Sequence, residues 1–289
     1  MIAKGKSFSG IFKARGGLFE PPQFILLGAP YDGSSSFRPG ARLAPAQIRE
    51  MAESLNACTE RGLDLSGLPA TDDGDLALGT DRKAAPAQIE SATSRVLEEG
   101  AVPLLLGGDH FVTVPAFRAA LRKYPGLKLL YLDAHPDLYP DYEGDPLSHA
   151  CVVSRILELE GMSGERITQV GIRAPTSQQL QAAQEAGIRV VPAWELPQFH
   201  YEEEGPVYLS LDIDVLDPAY APGCGNPVPG GPSTRELLTL LQGIKCEIVA
   251  LDVAEVNPLV DPSGITALAA ARIVIELVGV LSYLTKPPL

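Results

Sequence analysis

Positive charge is scarce in this chain. Its 289 residues carry 23 Lys and Arg against 36 Asp and Glu, a formal net charge of −13. Binding a phosphate backbone calls for clustered Lys and Arg, so nucleic acid is not an expected partner, and neither is an anionic membrane surface. An acidic surface serves solubility and can also attract a cationic substrate. Cysteine is rare: Cys58, Cys151, Cys224 and Cys246 are scattered, with no C-x-x-C pair. They build no disulfide framework, and the expectation is free thiols in a reducing cytoplasm. Met1 to Gly10 lacks the apolar core of a signal peptide. The longest apolar run, Ile273 to Leu284, is interrupted by Glu276 and reads as a buried helix rather than a membrane span.

What is present is ordinary for a globular enzyme: 45% apolar and 20% charged residues, in a chain long enough to bury a large core. Short apolar runs at Phe24–Leu27, Pro103–Leu106, Leu127–Leu132, Ile167–Val170, Arg189–Val191, Pro206–Leu211 and Glu247–Leu251 read as strands buried on both faces. Helical spacing covers Pro45–Leu55, Pro86–Glu99, Val114–Lys123, His149–Leu159, Thr176–Ala186, Thr234–Gln242 and Thr266–Tyr283. Pro45 and Pro86 suit a first helical turn, and Ser233 to Glu236 has capping-box spacing. The alternation predicts one α/β domain over residues 1–289, a three-layer sandwich with a mostly parallel central sheet and helices on both faces.

Four strand candidates run directly into polar clusters: Gly107-Gly108-Asp109-His110, Asp133-Ala134-His135-Pro136-Asp137, Asp212-Ile213-Asp214, and Asp252 followed by Glu255-Val256-Asn257-Pro258. Ligands of open α/β sheets bind beyond the carboxyl ends of the strands, so all four clusters lie on one edge. Only four histidines exist, and His110, His135 and His149 fall in or near these clusters, while His200 sits in a polar loop and reads as a surface residue. His110, Asp133, His135, Asp137, Asp212 and Asp214 supply two imidazoles and four carboxylates. That is too oxygen-rich for a single zinc, and it suits two harder ions such as Mn²⁺ held close together, which lower the pKa of water toward neutrality. Nickel and cobalt fit the same ligand types. An Asp after a strand is commonly only a turn or cap residue, but chance accounts poorly for three clusters in register with strand ends.

At this point the chain resembles the ureohydrolases, the family of arginases, agmatinases and guanidinobutyrases. The motifs are GGDH at 107–110, DAHPD at 133–137, SLDIDVLDP at 210–218 and EVNP at 255–258. Gly28 to Gly33, Arg38 to Arg42, Pro45 to Arg49 and Ala221-Pro222-Gly223 look like the agmatinase branch. The resemblance implies two Mn²⁺ per subunit, one held by His110, Asp133, Asp137 and Asp212 and the other by Asp133, His135, Asp212 and Asp214. It implies Glu255 as the guanidinium-binding carboxylate and His149 as a proton shuttle. Both roles suit the chemistry: a carboxylate pairs with a planar guanidinium, and an imidazole can protonate a departing amine. Phe111, Pro136 and Asn226 stand where the family commonly has Ser or Thr, and none of them removes a ligand. Asn226 and Phe111 are expected to reshape the substrate pocket.

The loop Leu138 to Leu147 is expected at the mouth of the site. It carries Asp141, Glu143 and Asp145 and no Lys or Arg. An ammonium tail would be attracted there and a carboxylate tail repelled, so the expected substrate is the cation agmatine, cleaved to putrescine and urea. Other guanidines and formiminoglutamate are the alternatives. A deacetylase of related fold would bind one zinc and need neither Glu255 nor Asp214, and a non-catalytic homologue would have lost a ligand. The resemblance also implies a homo-oligomer, a trimer or hexamer. Cys151 and Cys224 lie near His149 and the pocket loop in sequence, so bulky thiol reagents are expected to inhibit.

Overall fold

A computed structural model describes residues 8–15, 21–79 and 81–285. Most of the segment searched for a leader, Met1 to Gly10, lies outside them. The nine strands are β1 (Lys13–Ala14), β2 (Phe24–Gly28), β3 (Ala70–Asp75), β4 (Val102–Leu106), β5 (Lys128–Leu132), β6 (Ile167–Ile172), β7 (Arg189–Pro192), β8 (Glu202–Asp212) and β9 (Lys245–Ala254). The helices are α1 (Ala44–Ala52), α2 (Ala84–Glu98), α3 (Thr113–Lys123), α4 (Val152–Leu157), α5 (Ser177–Ala186), α6 (Thr234–Gln242) and α7 (Ile265–Thr285). The strands form one sheet in the order β1-β3-β2-β4-β9-β8-β5-β6-β7, and every pairing is parallel.

Two apolar cores flank the sheet. Phe24 and Leu26, Leu104 and Leu106, and Leu130 and Leu132 pack on the side of α1, α6 and α7. Their neighbours Ile25 and Leu27, Leu105, and Leu129 and Tyr131 pack on the side of α2, α3 and α4. Successive strand residues point to opposite faces, so with both faces covered the sequence reads as an unbroken apolar run. The expected three-layer α/β architecture is therefore the one observed.

All seven strand candidates and all seven helix candidates have counterparts. Thr176 and Ser233 each close a capping box, with Gln179 and Glu236. The segment His149–Leu159 begins differently: His149–Cys151 is a tight 3₁₀ turn capped by Ser148, and the α-helix starts at Val152. The sequence reading missed two strands. β3 carries the acidic run Ala-Thr-Asp-Asp-Gly-Asp and looks like a loop, but Arg49 pairs with Asp72 at 2.7 Å, and Arg15 with Asp73 at 2.7 Å. With these partners the acidic strand can sit between β1 and β2. Helix α7 is apolar enough to cross a membrane by length and composition. Its Ala270, Ile273, Val274, Leu277 and Val278 are instead buried in the core, and Glu276 is buried against Arg272 and the Glu60 amide.

The topology decides where the polar clusters meet. β4, β9, β8 and β5 are adjacent, although the chain visits them in the order β4, β5, β8, β9. Leu106 is level with Val253, Leu132 with Leu211, and Asp212 with Ala254. Four carboxyl ends therefore open into one crevice where the strand order reverses.

Candidate metal centre

The centre is built from the strand ends upward. Beyond β4 the backbone passes so close to the Tyr31 carbonyl that a Cβ on Gly108 would lie 1.8 Å from its oxygen. Only glycine fits, and the contact lets Asp109 N–H bond Tyr31 O at 2.8 Å, fastening the loop after β2 to the site. Asp109 is fully buried and accepts the Ser34 amide at 2.8 Å. Burial, and then the charge of Glu255, push its carboxyl up to about 7.

His110 turns Nδ1 toward carboxylates: Asp133 Oδ2 at 3.0 Å, Asp212 Oδ2 at 3.1 Å and Asp137 Oδ2 at 3.6 Å. Its Nε2 lies 2.9 Å from Ser210 Oγ, which donates to buried Asp252 at 3.0 Å. That backing orients the ring, as second partners of ligand histidines do. His135 Nδ1 lies 3.0 Å from Asp214 Oδ2 and 3.4 Å from Asp133 Oδ1.

Two overlapping triads result. Ligand atoms of His110, Asp133 and Asp212 lie within 4.8 Å of one another, as do those of Asp133, His135 and Asp214. Asp133 belongs to both. Asp137 lies beside the first triad with its Oδ2 accepting the Tyr131 hydroxyl at 2.6 Å, and Asp212 Oδ1 accepts the Asp214 amide at 2.8 Å.

The electrostatics call for cations. Burial alone would lower the His110 pKa, but acceptance of its ring N–H by Asp133, Asp137 and Asp212 raises it well above the ordinary value. His135 goes up to about 12, burial opposing and Asp214 and Asp133 prevailing. Asp212 is pushed well up by burial and then by Asp214 and Asp133. Buried Asp133 Oδ2 lies 3.0 Å from His110 Nδ1 and is met by no backbone or hydroxyl donor, and a buried carboxylate oxygen so placed is costly unless a cation meets it. The residues present fit a pair of divalent ions.

A cavity of about 440 Å³ opens over the triads, and among its walls are His135, Asp137, His149, Asp212, Asp214, Asn226 and Glu255. Glu255, at φ +64°, and Asp137, at φ +46°, both hold left-handed backbone, a strain that concentrates at functional sites. Glu255 Oε1 accepts the His110 amide at 2.9 Å and lies 2.9 Å from His149 Nδ1. His149 Nε2 lies 2.7 Å from Ser36 Oγ. Burial lowers the His149 pKa, but Glu255 overrides it and raises the pKa to about 9.

The expected tail loop is only partly at the cavity. Glu143 lines it with Tyr139 and Tyr142, whereas Asp141 and Asp145 are not among the lining residues. Asp145 is ion-paired at 2.5 Å with Arg82, a cation from outside the loop that sequence inspection could not place there. Asp141 caps the turn by accepting the Gly144 amide at 2.9 Å. Asn226 lines the cavity as expected, Pro136 lines it too, and Phe111 is buried in the core. His200 is exposed. Ser36, Ser210, Asp252 and Tyr131 were missed as supports. For Tyr131 a signal existed, since it lies two residues before Asp133 on an extended strand.

Burial counts against the expectation that thiol reagents inhibit. Cys151 and Cys224 have no exposed surface, and burial pushes both thiols up, Cys151 to about 11. All four cysteines are free. A larger cavity, about 800 Å³, lies at the β3 edge, where Arg15, Arg49 and Arg95 are already paired with Asp72, Asp73 and Asp75.

Fold and site together define a class: a parallel α/β protein with two overlapping carboxylate–imidazole triads, able to hold metal ions, beyond its strand ends. The family model described as the Arginase family matches residues 22–279. Agmatinase of Bacillus anthracis is 37% identical over 274 residues, 90% of this chain and 92% of that one. The mitochondrial arginase of Medicago truncatula is 38% identical over 278 residues, 89% of this chain and 81% of that one. The solved proclavaminate amidino hydrolase of Streptomyces clavuligerus superposes with a TM-score of 0.87 at 33% identity, covering 98% of each chain. The chain belongs to the arginase family of ureohydrolases, hydrolases acting on guanidino groups.

Proposed function

We propose that the protein hydrolyses a small cationic guanidino compound to urea and an amine with two Mn²⁺ per subunit, and that agmatine is the substrate. The observation that carries the reading is the Glu255–His149 pair, buried at 2.9 Å beside both triads in one cavity.

His110, Asp133, Asp137 and Asp212 would hold one ion and Asp133, His135, Asp212 and Asp214 the other. The ions supply Lewis acidity and an acidified water. The remaining work falls to side chains of the chain. Glu255 is fixed through Oε1, which leaves Oε2 to meet a guanidinium N–H. Its charge keeps His149 protonated at neutral pH, so the imidazole can deliver a proton to the departing amine while Ser36 steadies the ring.

The tail reading rests on Glu143. Among the described residues, the cavity is lined by Glu143 and by no Lys or Arg, which favours an ammonium tail over a carboxylate. Asp145 no longer supports it, because Arg82 neutralises that carboxylate. A second reading has its own support: Asn226 and Gln179 are among the residues lining the same cavity, and side-chain amides can hold a carboxylate such as that of 4-guanidinobutyrate. A cytoplasmic homo-oligomer, trimer or hexamer, is part of the proposal, and light scattering reads that assembly directly.

The test is urea release by Mn²⁺-loaded protein from agmatine, arginine, 4-guanidinobutyrate, 3-guanidinopropionate and guanidine, with Asp212→Asn as the blank. Preference for agmatine supports the full reading. Preference for 4-guanidinobutyrate selects the second. No urea from any of them, with two ions bound, rejects both.

A further inference from the structure

The two triads are not equally supported. His110 is 1% exposed and His135 27%. Tyr131, fully buried on β5, stacks on the His110 ring with centroids 4.6 Å apart and planes 7° from parallel. Its hydroxyl lies 2.6 Å from Asp137 Oδ2 and 2.9 Å from His110 Nδ1. These two residues come from different strand ends, and one phenol touches both. Among the described residues, no hydrogen bond or ring contact joins Tyr131 to His135 or Asp214.

We propose that Tyr131 is a positioning residue for one ion only, the one on the His110 side. The ring forms a wall that His110 packs against, and Ser210 holds the imidazole from its other nitrogen. The hydroxyl tethers the carboxylate of Asp137, whose backbone is in the left-handed region. With an ion held on the His110 side, the Asp137 carboxylate would remain as the acceptor of the phenol proton. A charge-assisted O–H···O⁻ bond of this kind is short and directional, so it fixes which way the carboxylate faces. Loss of such an outer partner typically costs ten- to a hundred-fold in metal affinity. The ion between His135 and Asp214 gains nothing from Tyr131. The inference rests on the two-ion part of the proposed function and not on the choice of guanidine.

The experiment is titration of the metal-free protein with Mn²⁺, following free Mn²⁺ by its paramagnetic resonance signal, for wild type, Tyr131→Phe, Asp137→Asn and the double variant. Phe keeps the ring, and a circular-dichroism melt of the metal-free protein verifies the fold. The expected result is two ions per chain, with one of them bound roughly tenfold or more weakly in Tyr131→Phe and the other at wild-type strength. In the Asp137→Asn background Tyr131→Phe should add nothing, because its effect passes through that carboxylate. Both ions weakened equally, neither weakened, or a full Tyr131→Phe effect on top of Asp137→Asn overturns the inference. Two ions bound with no urea from any guanidine would sink the substrate reading alone, and a wild type that binds one ion would sink both.

Discussion

His149 Nδ1 lies 2.9 Å from Glu255 Oε1, although 106 residues separate the two in the chain. The same carboxylate oxygen accepts the amide of His110, so one Glu is tied to both the His149 ring and the His110 triad. Burial and charge work against each other on this imidazole, and the charge wins.

Glu255→Gln should therefore do two things. Urea release should fall roughly a hundredfold or more, in line with removal of a charged transition-state partner. The His149 pKa, read by nitrogen-15 imidazole resonances in the metal-free protein, should drop, because burial is then opposed only by the weaker fields of Asp137 and Asp109. A His149 resonance that does not move would show that Glu255 is not the cause of the raised value.

The His149 shift also sets a pH dependence of stability. Its folded pKa of about 9 exceeds the unfolded value near 6.5, so the stabilisation is complete below about 6.5 and is lost as pH rises through about 9. Metal-free protein should show a melting midpoint that declines across that window, and His149→Asn should flatten this part of the curve. Equal slopes in the two proteins would rule the linkage out.

Metal removal should lower the melting midpoint, and added Mn²⁺ should raise it progressively with concentration, since ions bind only the folded arrangement. Asp133 is the shared member of both triads. Asp133→Asn should weaken both ions, whereas His135→Ala should weaken one. Isothermal titration counts the sites, and two intact sites in Asp133→Asn would contradict the shared-ligand geometry.

Glu143→Gln should raise KM for agmatine several-fold with kcat little changed, the pattern for loss of binding remote from the reacting carbon. The same change should leave guanidine itself unaffected. An unaltered KM for agmatine would remove Glu143 from tail recognition.

Bulky thiol reagents should leave Cys151 and Cys224 unmodified in the native protein, because both are buried and their thiols are held in the protonated form. Cys58 is the partly exposed thiol, and mass spectrometry should find the first label there. Early labelling of Cys224 would mean that its loop opens far more than its packing indicates.

Much was legible in the chain because the information is local. Apolar runs ending in Asp and His told where strands stop and ligands start, since a strand buried on both faces must be apolar until it leaves the sheet. Capping spacing located the starts of α5 and α6, because the side chain at the cap bonds an amide three residues on. Helix His149–Leu159 was misplaced at its start, as Ser148 bonds the second residue after it and tightens the first turn. β3 was missed, because its acids are stabilised by Arg49 and Arg15, which arrive from 23 and 58 residues away in the chain.

The sequence by itself determined the α/β class and the Asp and His clusters that follow its strands, because both are written in short local runs. Only the tertiary structure decided which motifs are neighbours, through the strand order β4-β9-β8-β5. It alone placed Arg82 on Asp145, taking that acid out of the expected tail site, and Tyr131 against His110 and Asp137. The physical reason is range: a motif records what a residue does to its own backbone, whereas charge neutralisation and ring stacking depend on distances set by the packing of the whole sheet.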